Sequence, residues 1–209
     1  MKHIISTFFL TLSALVMLSN AVYAQDENPL QNDQTAEYNK PYCQFSISFP
    51  EKPEIKRICE GTDSTTCYDK ISYTKVFDLA ATVRFDVICN PSNEKLYNHL
   101  NPDEMRMTVR KMSQDSVMEA FEIDVREEEN YRHASLVGRG QAGMDDSILL
   151  AQLWSAKNSM MSVEAELSGP QMDEADQLFA QVLRSISFVD KSSTETDQEE
   201  TPEAEDAKE

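Results

Sequence analysis

The side chains able to do chemistry are few in this chain of 209 residues. Beyond the N-terminal segment there are two histidines, His99 and His133, and four cysteines, Cys43, Cys59, Cys67 and Cys89. A hydrolytic triad needs a nucleophile, an imidazole and an orienting carboxylate that meet in space. Serines and carboxylates abound, but each histidine falls in a different element, and no G-x-S-x-G, H-E-x-x-H, P-loop or glycine-rich dinucleotide turn occurs. Five glycines leave little material for a loop that cradles phosphate. The densest carboxylate run, Glu127-Glu128-Glu129, invites comparison with a glycosidase pair. Consecutive acids at a strand end point in different directions, however, and read as a solvated turn. Neither that run nor Asp145-Asp146 has the Asp-x-Asp-x-Asp-Gly order of an EF-hand calcium loop. The expectation is no catalytic residue, no metal ligand set and no cofactor site.

The cysteines point to structure. An even count in an exported chain reads as two disulfides. A four-thiolate zinc site wants close Cys-x2–4-Cys pairs, and even Cys59 and Cys67 are too far apart for that. No Cys-x-x-Cys redox motif is present.

The elements that must position these groups follow from hydrophobic period. Phe45, Ile47 and Phe49 alternate with Gln44, Ser46 and Ser48, so CQFSISF predicts a half-buried strand. A turn at 50–53 leads to a return strand through Ile55 to Cys59, and a Gly-Thr-Asp-Ser loop follows. Ile71, Tyr73 and Phe77 alternate in a third strand, and Val83, Phe85 and Val87 in a fourth. Reflecting the first hairpin about Glu51 sets Cys43 opposite Cys59. Reflecting the second about Asp78 sets Cys67 opposite Cys89, Tyr73 opposite Val83 and Ile71 opposite Phe85. Cross-strand neighbours lie close enough to bridge, so the preferred pairing is Cys43–Cys59 with Cys67–Cys89. The rival pairing, Cys59–Cys67 with Cys43–Cys89, closes the short loop and ties the first strand to the fourth.

After Asn90-Pro91 the period changes. Asn101, Pro102, Asp103 and Glu104 form a helix start. Met105, Val109, Met112, Val117, Met118 and Phe121 then give one apolar stripe, read as core rather than as a methionine-lined groove. Strands resume at Ile123 and Val125, at Ala134 and Leu136, at 147–156, which is apolar on both faces, and at Met161, Val163, Ala165 and Leu167. Gly169-Pro170 breaks the pattern before a last helix carrying Met172, Ala175, Phe179, Val182, Leu183 and Ile186 on one face. Two runs of strands, each followed by a helix, predict an α+β fold: a mainly antiparallel sheet of two meanders packed with two helices, an α/β/α sandwich.

The ends of the chain are of other character. Lys2, an apolar run from Ile4 to Leu18 and Val22-Tyr23-Ala24 predict a signal peptide over 1–24, cleaved after Ala24. The apolar run is shorter than the roughly 20 residues of a spanning helix. Residues 25–40 read as a disordered polar lead-in, 41–189 as a single domain and 190–209 as a disordered acidic tail. The tail either confers solubility or docks onto a basic partner. With 19 basic against 37 acidic residues and a net charge of -18, nucleic acid and anionic membrane surfaces are disfavoured as partners.

FSISFPEKP, the mid-chain helix, LLAQLWSAKNSMMSVEAEL and the closing VLRSISF together resemble the PsbP-like α/β/α sandwich, a family that includes the extrinsic photosystem subunit and many exported bacterial relatives. The resemblance covers about 43–188 and implies a non-enzymatic binding or assembly factor, with no functional residue to carry over. The paired cysteines depart from the photosystem subunit. The expected function is a non-catalytic, soluble periplasmic or secreted protein that binds a protein or envelope component, with no nucleic acid partner and no stable membrane insertion after cleavage. The alternatives are a small hydrolase whose site assembles only in the fold, and a carrier of a small molecule or metal ion.

Overall fold

The computed structural model describes residues 35–60, 66–113, 117–143 and 145–191. The expected signal peptide, most of the expected lead-in, the Gly-Thr-Asp-Ser loop and the expected tail from 192 onward lie outside the described residues. Seven antiparallel strands form the main sheet: β3 (Glu54–Glu60), β4 (Thr66–Phe77), β5 (Ala81–Pro91), β6 (Val117–Glu127), β7 (Tyr131–Ala142), β8 (Asp145–Ala156) and β9 (Ser159–Ser168). Their spatial order is β3-β4-β5-β9-β8-β7-β6, so two meanders meet along the β5–β9 ladder. A second sheet holds β1 (Ala36–Tyr38), β2 (Phe45–Phe49) and β10 (Ser187–Phe188), with β2 in the middle. Three helices, α1 (Glu94–His99), α2 (Pro102–Met112) and α3 (Asp173–Arg184), complete the described elements. None of the described helices is long and apolar enough to cross a membrane.

Each face of the main sheet buries a separate core. On one face, Val83, Phe85 and Val87 of β5 lie level with Leu167, Ala165 and Val163 of β9. They pack with Phe45, Ile47 and Phe49 of β2 and with Ala175, Leu178, Phe179 and Val182 of α3. On the other face, Met105 and Val109 of α2 pack on Ala134 and Leu136 of β7 and on Ala151 and Leu153 of β8. The result is the expected α+β sandwich, α2 on one side of the sheet and α3 with the small sheet on the other. Strand β8 runs beneath both layers, which is why its sequence is apolar on both faces. The methionine stripe is core where it is helical: Met105 is fully buried and Met112 packs beside it. The α2 start is as read, since the Asn101 side chain accepts hydrogen bonds from the backbone N–H groups of Asp103 and Glu104 at 3.0 and 3.1 Å.

The preferred disulfide pairing is overturned. Cys43 bonds Cys89, and Cys59 bonds Cys67. The cause is that β2 and β3 do not form a hairpin. After the turn at 50–53 the chain leaves the small sheet for the large one, because the rings of β2 are needed over the main sheet. Phe49 stacks on Tyr73 at 5.2 Å and meets Phe85 edge-on at 6.1 Å. Strand β3 pairs with β4, which sets Cys59 directly opposite Cys67. The second hairpin is offset by two residues from the expected register, with Tyr73 opposite Phe85 and Ile71 opposite Val87. An offset of two keeps the same side chains on the same face.

Four further elements differ from the reading. Val117 begins β6 rather than continuing the helix. This edge strand has irregularities at Val117/Glu119 and Ala120/Glu122. Each interrupts the period of two, so the stretch mimics helical spacing. Strand β1 lies inside the expected lead-in and is held by Tyr38, which is buried and pairs with Ile47. The short α1, capped by Asn93, was not visible as a periodic segment. Strand β10 completes the far edge of β2.

Candidate functional site

Among the described residues, a cavity opens on each face of the sheet. The first, of about 180 Å³, lies beside the end of α2 and is lined by Arg84, Asp86, Met112, Leu149, Glu164 and Glu166 among others. Asp86 of β5 and Glu164 of β9 are direct cross-strand partners. Asp86 is buried and accepts a hydrogen bond from Ser72 Oγ at 2.6 Å, with Lys70 Nζ at 3.2 Å and Arg84 Nη2 at 2.5 Å. Burial works to raise the Asp86 carboxyl, but the bonds from Ser72, Lys70 and Arg84 outweigh it and hold the group below the usual carboxylate range. Glu164 is pushed the other way, by desolvation at the cavity wall and then by the charge of Asp86, against the opposing pull of Lys70 and Arg84. Two carboxylates driven apart in this way are the electrostatic pattern of an acid–base pair. The lining carries no aromatic ring to hold a sugar. Sequence reasoning passed over both residues, because a polar side chain alternating on a strand signals only a non-core face.

The histidines do not meet. His99 is exposed in the last turn of α1. Arg132 anchors that helix by donating to the carbonyls of Tyr97 and Leu100 at 2.6 and 3.2 Å. Arg132 and His133 are neighbours on β7 and point to opposite faces, so the sheet separates the two imidazoles. His133 stacks on Trp154 with ring centroids 3.9 Å apart, and its Nε2 has no hydrogen-bond partner. Burial, and then the positive charge of Arg126, push its pKa down to about 4, with Asp124 opposing. No serine or carboxylate is hydrogen-bonded to it among the described contacts.

The acidic runs are also dispersed. Glu127 pairs with Arg132 at 2.8 Å, and the N–H of Glu128 donates to the carbonyl of Tyr131 at 2.9 Å, so the run makes the β6–β7 turn. Asp146 pairs with Arg139 at 2.6 Å. Among the described residues, no three His, Cys, Asp or Glu side chains are grouped to hold a metal ion.

The second cavity, of about 430 Å³, lies on the α3 face at the start of that helix. Its floor is the row Arg139, Ile148 and Leu167 from three adjacent strands, and its wall includes Gly169, Pro170 and Asp176. Beside it stands the β4–β5 turn, where Asp78 and Leu79 both take positive φ, 48° and 57°. Leu79 is 96% exposed. Gly169, at φ 98°, packs so closely on this turn that a Cβ there would fall 2.2 Å from the Ala80 carbonyl oxygen.

No protein-family model and no curated protein matches the chain. Solved structures do resemble it. The cyanobacterial PsbP (CyanoP) of Synechocystis sp. PCC 6803 is 14% identical with a TM-score of 0.45, over 74% of this chain and 92% of that one. LpqN of Mycobacterium tuberculosis, described as involved in cell envelope biogenesis, is 7% identical with a TM-score of 0.42, over 77% and 88%. The Ran-binding protein Mog1p of Saccharomyces cerevisiae is 10% identical with a TM-score of 0.34, over 76% and 97%.

Proposed function

We propose that this chain is a non-catalytic binding or assembly protein, exported through its N-terminal segment to the periplasm or exterior, where it acts on a protein or envelope component. The observation that carries the reading is the composition of the larger cavity. Its floor sets Ile148 and Leu167 beside Arg139, its charged groups, Arg139, Asp146 and Asp176, include one ion pair, and its one hydroxyl, Ser147 Oγ, is buried with no base hydrogen-bonded to it. Such a surface holds a ligand and leaves it unchanged. Two disulfides fit an oxidising compartment.

A second reading, the small hydrolase, is favoured by one specific feature, the opposed shifts of Asp86 and Glu164. Esterase, peptidase and glycosidase panels on the purified protein separate the two. The binding reading expects no turnover. Turnover abolished by Glu164→Gln or His133→Asn would overturn it. Export is checked by fractionating cells and sequencing the mature N-terminus, expected at Gln25; retention in the cytoplasm would refute that part. A rise in melting temperature with calcium or with an apolar small molecule would favour the carrier alternative.

A further inference from the structure

Resting on the binding reading above, we propose that the end of the molecule formed by Leu79 and the larger cavity docks a basic polypeptide segment, which lays one apolar side chain over Ile148 and Leu167. A leucine at positive φ costs on the order of 1–3 kcal/mol of backbone strain. Here that strain serves to present a side chain almost wholly to solvent, and no contact in the described fold offsets it. The turn is also fixed in place. Gly169 lines the cavity and packs against Ala80 and Ala81, so the projecting Leu79 and the cavity floor are held side by side.

Charge selects the occupant. Exposed acids occur at Asp78 in the turn, at Asp145 and Asp146 where β8 begins, and at Asp173 and Glu174 in the first turn of α3, with Asp176 on the cavity wall. Arg139 is the only cation of the lining, and Asp146 already holds it. The acids at this end, in a chain whose net charge is -18, disfavour a second copy of the chain and any other anionic surface. A lysine- or arginine-rich segment carrying one aliphatic or aromatic anchor satisfies both the cavity and its acids.

The test titrates the ¹⁵N-labelled protein with three synthetic peptides: a lysine-rich heptamer with a central leucine, the same peptide with serine for leucine, and a glutamate-rich version with the leucine. The expected result is amide shifts at Leu79, Ile148, Leu167 and Gly169, with affinity falling about tenfold for the serine peptide, the loss of one buried aliphatic side chain. The acidic peptide should not bind. Leu79→Ser, at an exposed position and so safe for folding, should weaken binding severalfold, and Ile148→Glu should abolish it while the melting temperature stays near wild type. Shifts centred on Asp86 and Glu164, equal binding of the acidic peptide, or a dimer in ultracentrifugation that buries Leu79 would each overturn the docking site. These outcomes leave the binding reading standing. Hydrolytic turnover, by contrast, overturns that reading without moving the peptide footprint.

Discussion

Cys43, in the turn before β2, is bonded to Cys89 near the end of β5, with Cα atoms 6.1 Å apart. The bond joins the small sheet to the main one. Cys59 and Cys67, at 4.1 Å, instead staple two neighbouring strands.

The two bonds should therefore differ in their effect on stability. Loop-closure entropy scales with the length enclosed, and the separations are 46 and 8 residues. Replacing Cys43 and Cys89 with alanine should cost about 4 kcal/mol, against about 2.5 kcal/mol for Cys59 and Cys67. Urea unfolding of the two double variants measures the difference. Equal losses would show that native packing, not chain entropy, sets the effect.

Asp86 and Glu164 should make opposite contributions to the pH profile of stability. The folded pKa of Asp86 is lowered, so its stabilisation is complete above the usual carboxylate range and is lost as pH falls through its depressed value. The folded pKa of Glu164 is raised, so its ionisation opposes folding once the pH exceeds that range. Asp86→Asn should destabilise by about 1–3 kcal/mol at pH 7, since three charge-assisted bonds are weakened. Glu164→Gln should stabilise at pH 7 and have little effect at pH 3. Chemical denaturation at the two pH values gives both signs.

His133 should be a source of acid lability. An unfolded imidazole binds a proton near pH 6.5, whereas in the fold it does so near 4. Stability should therefore fall as pH drops from about 6.5 to 4, by up to about 3 kcal/mol, and level off below. His133→Gln should flatten that interval. An NMR titration of the imidazole checks the cause, and a midpoint near 6.5 would remove it.

Gly169 and Leu79, both at positive φ, should respond in opposite directions to substitution. Gly169→Ala places a Cβ against the Ala80 carbonyl at a φ that side chains rarely adopt, and should cost about 1–3 kcal/mol. Leu79→Asn, which suits a left-handed turn, should stabilise by up to about 1 kcal/mol. Thermal melts decide both. A Leu79→Asn protein that is more stable yet loses the lysine-rich peptide would show that the leucine is kept for contact and not for folding.

What the sequence made legible tracks how strongly one face is buried. Phe45, Ile47 and Phe49, the β5 valines and the β9 row all lie on the face assigned to them, because alternation survives wherever a core covers one side. Residues 117–121 misled, because bulges break the alternation of an edge strand. The disulfides misled because reflection about a turn assumes that consecutive strands pair, and the chain changes sheets after Phe49. Asp86 and Glu164 left no signal: they lie far apart in sequence, and only the β5–β9 ladder brings them together. The cavity at α3 was equally hidden, although Gly169-Pro170 was visible as the break that now forms its wall.

Among the described residues, β3 and β6 are the outer strands of the seven-stranded sheet. A regular edge offers unpaired backbone groups as a template on which another chain can add a strand. In β6 the irregularities at Val117/Glu119 and Ala120/Glu122 interrupt that row. In β3, Glu54, Lys56 and Arg57 load the edge with charge, and the Cys59–Cys67 bond restrains it against sliding or peeling. Both edges are thereby made poor templates for strand addition by another chain, which leaves the faces and turns as the surfaces open to side-chain recognition.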